Sequence, residues 1–168
     1  MPKRSISLII HDVRSTHNVG SMLRTAEGLG VDNVYITGYS PYPETKNDKR
    51  LPHIRKRATD QISKTALGAD RTLHWQHHPD APALIKRLRS GGSVVVALEQ
   101  APKSQPLNTY TPPSDVTLLV GNEVDGLSQE LLQIVDLCIE IPMLGSKESY
   151  NVAVATAMAI YQLRFAGD

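Results

Sequence analysis

The sequence predicts one α/β domain with a mostly parallel sheet flanked by helices. Two observations point to it. Short apolar runs alternate with segments of helical spacing along the 168 residues, and the runs are nearly continuous rather than interrupted by polar residues. Strands that are covered by helices on both faces are apolar throughout, as in parallel sheets. The content of 40% hydrophobic and 21% charged residues is ordinary for a globular domain of this length.

The N-terminal part predicts a strand, a helix and a second strand. Ser5–Ile10 and Asn33–Thr37 are the apolar runs. Between them, Asn18 is a suitable N-cap for a helix whose apolar residues recur every three or four positions. Gly28 and Gly30 are expected to end this helix.

The middle of the chain predicts a long loop and then further strands and helices. Gly38–Pro52 contains glycine, prolines and charges, and a loop of that length inside a domain usually serves a function. The elements predicted after it are a helix at Thr59–Leu67, a strand at Arg71–Gln76, a helix at Pro82–Arg89, a strand at Ser93–Leu98 and a connector at Glu99–Asp115.

Two apolar runs near the C-terminus each end in a polar loop that contains glycine. They are Thr117–Val120 and Cys138–Ile141, with a predicted helix at Ser128–Val135 between them. The second loop leads into a predicted helix of small residues at Asn151–Phe165. Ligands of α/β folds bind where the carboxyl ends of strands open into such loops. The sequence therefore predicts a cofactor pocket in this region.

Several classes of protein are not supported. The sequence contains no GxGxxG after the first strand and no P-loop, so neither a dinucleotide fold nor an NTPase is indicated. The six histidines show no paired metal spacing, so no metal site is predicted. Cys138 is the single cysteine, which excludes a disulfide framework within the chain. No apolar run is long enough for a membrane span or a signal peptide, and we expect a cytoplasmic protein without a membrane partner.

Charge is concentrated in one segment. The net charge of the whole chain is only +1, but from Lys46 to Arg57 six basic residues stand against one aspartate, a local charge of +5. Such clustering is typical of a surface that binds phosphates. A solvated surface loop has the same composition, and both interpretations stay open at this point.

Three polar clusters stand out from the rest of the sequence. Asn18–Ala26 has the form N-x-G-x-x-x-R-x-A, Gly121–Leu127 the form G-x-E-x-x-G-L, and Ile141–Val152 combines I-P-M-x-G with S-x-N-V. Gly20 is expected to let a ligand approach the first helical turn. Arg24 lies four residues further on, on the same side of the helix.

Together and in this order, the three clusters resemble the SpoU/TrmH family of RNA ribose 2′-O-methyltransferases, part of the SPOUT superfamily. The resemblance covers essentially the whole chain and includes the strand end at Ala97–Glu99. It implies a deep C-terminal trefoil knot and a single SPOUT domain over residues 1–168, without a separate RNA-binding domain. It also implies a homodimer with the active site near the subunit interface.

The resemblance assigns a role to individual residues. The contacts it implies for S-adenosylmethionine are Leu98, Glu99, Gly121, Ile141, Met143 and Ser149. The catalytic residues it implies are Arg24, Glu123, Ser149 and Asn151. The residues expected to bind RNA are Asn18, Arg24, Lys46, Lys49, Arg50, Arg55 and Arg57.

The expected activity is methyl transfer from S-adenosylmethionine to a ribose 2′-hydroxyl, with tRNA favoured over rRNA by analogy with small relatives. Arg24 is either the base that deprotonates the hydroxyl or a cation that stabilises the alkoxide, and it serves either its own pocket or that of a partner subunit. The alternative is a catalytically idle RNA-binding module on the same fold. A methyltransferase acting on a base nitrogen ranks last, because its relatives use different motifs.

Overall fold

A parallel β-sheet forms the centre of the computed structural model, which describes residues 4–167. Within that range the sheet has seven strands, and each pair of neighbours is parallel. The strands are β1 (Ser5–His11), β2 (Asn33–Thr37), β3 (Trp75–His78), β4 (Val94–Leu98), β5 (Gln105–Pro106), β6 (Asp115–Val120) and β7 (Leu137–Glu140). Their order is β3-β2-β1-β6-β4-β7-β5. The predicted mostly parallel α/β sheet is confirmed.

Helices cover both faces of this sheet. They are α1 (Thr16–Gly28), α2 (Pro52–Ala66), α3 (Ala69–Thr72), α4 (Ala81–Ser90), α5 (Gln129–Ile134) and α6 (Val152–Phe165). Successive residues of β1 enter different cores: Leu8 and Ile10 pack on the side of α1 and α6, and Ile9 packs on the side of α4 and α5. Both cores exclude water, which explains why the strand sequences are apolar throughout. In the described range no helix has the length and apolar character to cross a bilayer.

The strand order brings distant parts of the sequence to one edge. Val96 pairs with both Leu118 and Leu137, so β4 lies between β6 and β7. Because the three strands are parallel, their carboxyl ends open on the same side of the sheet. The loops that follow Leu98, Val120 and Glu140 therefore meet there.

The first helix begins earlier than predicted. It starts at Thr16, and its N-cap is Ser15, whose hydroxyl accepts a hydrogen bond from the backbone N–H of Asn18 at 3.2 Å. The prediction of Asn18 as N-cap was wrong. Serine and asparagine cap helices about equally well, and the side chain of Asn18 is engaged elsewhere in the fold.

Helix α2 begins at Pro52, seven residues before the predicted start at Thr59. Its buried residues are Ala58, Ile62 and Ala66, which form one narrow stripe at a spacing of four. The basic residues on its other faces obscured that stripe in the sequence. The segment from Lys46 to Arg57 is therefore half loop and half helix.

The third strand also differs from its prediction. The strand occupies Trp75–His78, where it pairs with β2, whereas Ala69–Thr72 within the preceding region is a short helix. The prediction of a strand at Arg71–Gln76 thus overlaps the observed strand only at its end. Likewise, the predicted connector contains the short edge strand β5, which pairs with β7.

Gly20 has a different role from the one expected. A Cβ atom placed on Gly20 would lie 2.0 Å from Oγ1 of Thr65 and 2.4 Å from the carbonyl oxygen of Ile62. Both residues belong to α2, so the glycine lets two helices pack closely and does not open the helical turn to a ligand.

Gly20→Ala is expected to lower the free energy of unfolding by about 1–3 kcal/mol, because the added methyl group forces α1 and α2 apart. Gly28→Ala in the same helix is the matched control. A Cβ atom there has no neighbour within 4 Å, and the change is expected to raise the free energy of unfolding by about 0.5 kcal/mol. Urea denaturation measures both values, and equal effects of the two substitutions would contradict this account of the helix contact.

Candidate cofactor and RNA site

A cleft of about 310 Å³ opens where β4, β6 and β7 end. Its volume lies in the range of pockets that hold small molecules. All six positions expected to contact a cofactor line it, namely Leu98, Glu99, Gly121, Ile141, Met143 and Ser149. The ends of β4, β6 and β7 and the loops that follow them supply these residues, so the order of the strands brings them together.

Hydrogen bonds between the loops hold the cleft in shape. The carboxylate of Glu99 accepts a hydrogen bond from the backbone N–H of Leu127 at 3.0 Å. A Cβ atom on Gly126 would lie 2.4 Å from that carboxylate, and Gly126 has a φ of +67°, so only glycine fits there without strain. The side-chain amide of Gln100 donates to the carbonyl oxygen of Glu148 at 2.9 Å. The loops after β4, β6 and β7 are thus bonded to one another.

The three sequence motifs meet at the side chain of Asn18. Its amide nitrogen donates to the carboxylate of Glu123 at 3.0 Å, and its amide oxygen accepts from Asn151 at 3.3 Å. Asn151 also caps α6 by accepting from the backbone N–H of Ala153 at 2.9 Å. Asn18 is only 9% exposed. Both ends of its buried amide are thus engaged within the chain, and contact of Asn18 with RNA stays a prediction.

The carboxylate of Glu123 is kept ionised by its neighbours. Partial burial alone would raise its pKa. The amide of Asn18 and the backbone N–H groups of Arg14 and Ser15 donate to the carboxylate and outweigh this effect, so the pKa is lowered. Glu123 therefore carries a negative charge at the mouth of the cleft and fixes the start of α1 against the loop after β6.

Arg24 does not line the cleft. Its side chain is exposed on α1, in a separate depression between α1 and α2. The residues that line this depression are His17, Ser21, Arg24, Thr25, Lys64, Thr65 and Leu67. Sequence reasoning missed Lys64, since its approach to Arg24 depends on the packing of α2 against α1. Within one chain, the structure brings Glu123, Ser149 and Asn151 together and leaves Arg24 outside.

Arg50 holds the basic segment together internally. It forms an ion pair with Asp48 at 2.6 Å, and its guanidinium lies 3.6 Å from the centre of the Tyr42 ring. The other face of Tyr42 stacks on His77 of β3, with ring centres 4.0 Å apart. Hydrogen bonding to Arg50 holds the pKa of Asp48 well below its usual range. Arg50 thus anchors the loop, and its contact with RNA stays a prediction.

Arg55 is also engaged within the chain. It pairs with Glu44 at 2.9 Å and donates to the carbonyl oxygen of Asp48 at 2.9 Å. The exposed cationic side chains of the segment are Lys46, Lys49, Lys56 and Arg57, and of these Lys56 pairs with Asp60 at 2.6 Å. Of the five basic residues predicted to bind RNA in this segment, three are therefore presented to solvent and two stabilise the loop.

A parallel sheet with a polar cleft at three adjoining strand ends defines a cofactor-binding α/β protein. The family described as the SpoU rRNA Methylase family matches residues 5–161. The chain therefore belongs to this family, which confirms the resemblance seen in the motifs.

Individual relatives agree with this assignment. Over 159 residues, the chain is 31% identical to a tRNA (guanosine(18)-2′-O)-methyltransferase from Borreliella burgdorferi, covering 94% of this chain and 65% of that protein. It is 28% identical to the protein of that name from Thermus thermophilus, covering 94% of this chain and 73% of that protein. The chain thus spans about two thirds of the length of the Borreliella relative.

Solved structures share the fold. An AdoMet-bound rRNA methyltransferase from Sinorhizobium meliloti has a TM-score of 0.80 at 24% identity, covering 96% of this chain and 56% of that chain. The TrmH/SpoU tRNA modifying enzyme of A. aeolicus has a TM-score of 0.76 at 24% identity, covering 96% and 75%. At this level of identity the likeness concerns the fold alone.

Asn18→Ala is expected to raise the pKa of Glu123, because the carboxylate loses a side-chain donor but stays partly buried. A carbon NMR titration of the carboxyl group measures this pKa. Folding lowers the pKa of Glu123 in the native protein, so the ionised carboxylate stabilises the fold. This stabilisation is complete above the ordinary pKa of glutamate, and it is lost as the pH falls through the lowered pKa. In Asn18→Ala, the free energy of unfolding is expected to decrease less as the pH falls.

Asn151→Ala is the control for this titration. It removes the other partner of Asn18 but leaves the bond between Asn18 and Glu123 in place. Its effect on the pKa of Glu123 is expected to be the smaller of the two. An equal shift in both variants would show that Asn18 does not hold the carboxylate ionised.

Proposed function

We propose that the protein transfers a methyl group from S-adenosylmethionine to a ribose 2′-hydroxyl of RNA, with tRNA favoured over rRNA. One observation carries the proposal: Asn18 joins the carboxylate of Glu123 to Asn151 beside the cleft, so that all three family motifs converge there. Relatives named as tRNA (guanosine(18)-2′-O)-methyltransferases support tRNA as the substrate.

The lining of the cleft fits this cofactor. Leu98, Ile141 and Met143 provide apolar surface for a flat heterocycle. Carboxylates face the same space and favour the cationic centres of the cofactor; they belong to Glu99, Glu123, Asp125, Glu140 and Glu148. When bound, the cofactor supplies an electrophilic methyl group on a sulfonium sulfur.

The protein's own residues would prepare the attacking hydroxyl. Ser149 lies at the mouth of the cleft, where it would orient the incoming ribose. The hydroxyl must lose its proton to solvent water as it attacks, because a guanidinium remains protonated in proteins and cannot accept it. We therefore assign Arg24 the role of a cation that stabilises the developing alkoxide, in preference to that of a base.

We also propose a homodimer in which Arg24 of one copy completes the cleft of the other. Arg24 lies outside the cleft of its own chain. Helix α6 exposes Tyr161 and Phe165, with 59% and 48% of their surface accessible. Beside Tyr161 lies an apolar groove that includes Pro142 and Met158. Exposed aromatic residues next to an apolar groove are suited to a self-complementary contact with two-fold symmetry.

Residues 1–168 are proposed to act as a single SPOUT domain with a deep C-terminal trefoil knot. Membership of the SpoU family and the fold shared with solved structures of that family support the knot. RNA would be captured by the basic segment from Lys46 to Arg57. The cytoplasmic location stays a prediction. No observation favours an idle RNA-binding module as a second function.

Arg24→Ala is expected to abolish methyl transfer, because the alkoxide loses its stabilising cation. In cells from which the gene has been deleted, the native protein should restore a 2′-O-methylnucleoside that mass spectrometry detects in tRNA, and the variant should not. Binding of S-adenosylmethionine, measured by calorimetry, should stay within a few-fold of the native value, since Arg24 is assigned to the attacking hydroxyl and not to the cofactor. Restoration of the methylnucleoside by the variant would contradict the assigned role.

Mixing two defective variants tests whether Arg24 acts across a dimer. Arg24→Ala keeps an intact cleft, and a variant such as Gly121→Val blocks the cleft but keeps Arg24. If Arg24 serves the partner's cleft, co-expressed chains form mixed dimers in which one site is complete. We expect that neither variant is active alone and that the co-expressed mixture is active. An inactive mixture in which mixed dimers form would assign Arg24 to its own chain.

Neutralising Lys46, Lys49 and Arg57 together, each to Gln, is expected to weaken tRNA binding. The slope of log affinity against log salt concentration should fall by about 2, because roughly three phosphate contacts are lost. Anisotropy titrations at several salt concentrations measure the slope. The control neutralises three exposed cations elsewhere, Lys86, Arg87 and Lys103, with the same change in net charge. Equal slopes for the two triple variants would place the RNA on another surface.

A further inference from the structure

Tyr39 presents an exposed aromatic ring next to the cleft. It lies two residues after the end of β2, and 56% of its surface is accessible. Its hydroxyl oxygen accepts a hydrogen bond from the side-chain amide of Asn122 at 2.6 Å. Asn122 itself lines the cleft. Tyr39 is therefore hydrogen-bonded directly to a residue that lines the cofactor site.

The backbone of this residue is fixed as firmly as its hydroxyl. The backbone N–H of Tyr39 donates to the carboxylate of Asp12 at 3.0 Å. Gly38 has a φ of +63°, and a Cβ atom there would lie 1.8 Å from the same carboxylate. Asp12 also has a positive φ of +53°, which is uncommon for a residue other than glycine. The turn thus holds the ring at both ends and leaves it accessible to solvent.

A cation lies beside the ring. The Tyr39 hydroxyl raises the pKa of the Arg14 guanidinium, which pairs with Asp125 at 3.5 Å. Its side chain is 63% exposed, so it can also reach a phosphate. An exposed aromatic ring with an arginine at its edge is the combination that proteins use to hold unpaired nucleotides, since bases stack on the ring and phosphates contact the cation.

We propose that Tyr39 is the platform on which a base of the RNA substrate stacks, with Arg14 contacting the phosphate beside it. The inference rests on the proposed function. Because Asn122 joins the ring to the cleft, the stacked base belongs to the nucleotide whose ribose enters the cleft or to its immediate neighbour. An aromatic ring accepts any base, so the platform supplies affinity and position rather than base identity.

A purely structural role makes a different prediction. If Tyr39 only held Asn122 in place, its hydroxyl would be the part that matters and its loss would disturb the cofactor cleft. If the ring carries a base, the aromatic face matters and the hydroxyl much less. Tyr39→Phe keeps the ring without the hydroxyl, and Tyr39→Leu keeps apolar bulk without the ring. The pair therefore separates the two roles, and Tyr39→Ala removes both.

The experiment measures transfer of a labelled methyl group to unfractionated tRNA from a strain that lacks the gene. For Tyr39→Ala and Tyr39→Leu, KM for tRNA is expected to rise about tenfold or more, and for Tyr39→Phe it should stay within about threefold. Calorimetry should give a Kd for S-adenosylmethionine within about twofold of the native value for all three variants. Thermal unfolding of each variant verifies that it is folded.

An unchanged KM for tRNA in Tyr39→Leu would overturn the inference. So would a loss in Tyr39→Phe as large as that in Tyr39→Ala, accompanied by weaker binding of S-adenosylmethionine. In both cases the native protein still methylates ribose, and the proposed function stands. Failure of the native protein to methylate any ribose in tRNA or rRNA would overturn the proposed function and this inference together.

Discussion

The buried amide of Asn18 is the contact on which the geometry of the site depends. An amide offers a donor at one end and an acceptor at the other, and here the two ends meet the carboxylate of Glu123 and the amide of Asn151. A carboxylate at this position would repel Glu123, and an apolar side chain would take one donor from Glu123 and the acceptor from the Asn151 amide nitrogen. Through this one side chain, α1, the loop after β6 and the start of α6 keep a fixed relation.

The sequence predicts the sheet well because strands that are buried on both faces consist almost entirely of apolar residues. Leu8 and Ile10 face one core and Ile9 the other, so β1 could be recognised without knowing its neighbours. The start of α2 could not be recognised from its composition in this way. Its buried stripe is only one residue wide, at Ala58, Ile62 and Ala66, among exposed charges.

The site could be predicted in part. The motifs identified the residues that line the cleft, since strand order in a parallel sheet brings their loops together. They did not reveal that Ser15 caps α1 while Asn18 bridges to Glu123, because the two side chains are equally good caps and the bridge spans more than a hundred residues. The basic segment shows a similar limit. Arg50 and Lys49 are adjacent and both cationic, yet one anchors the loop on Tyr42 and the other faces solvent.

The hydrogen bonds that join the loops of the cleft also determine when the cofactor site forms during synthesis of the chain. Glu99, Leu127 and Glu148 take part in these bonds, and they are spread over the second half of the chain. A nascent chain that has emerged only as far as β6 already contains the strands at the centre of the sheet, but it lacks β7 and the loops after β6 and β7 that complete the cleft. The cleft can therefore bind the cofactor only after most of the chain has been synthesised. A chain that is truncated after β6 would keep the basic surface but would lack a complete cofactor site.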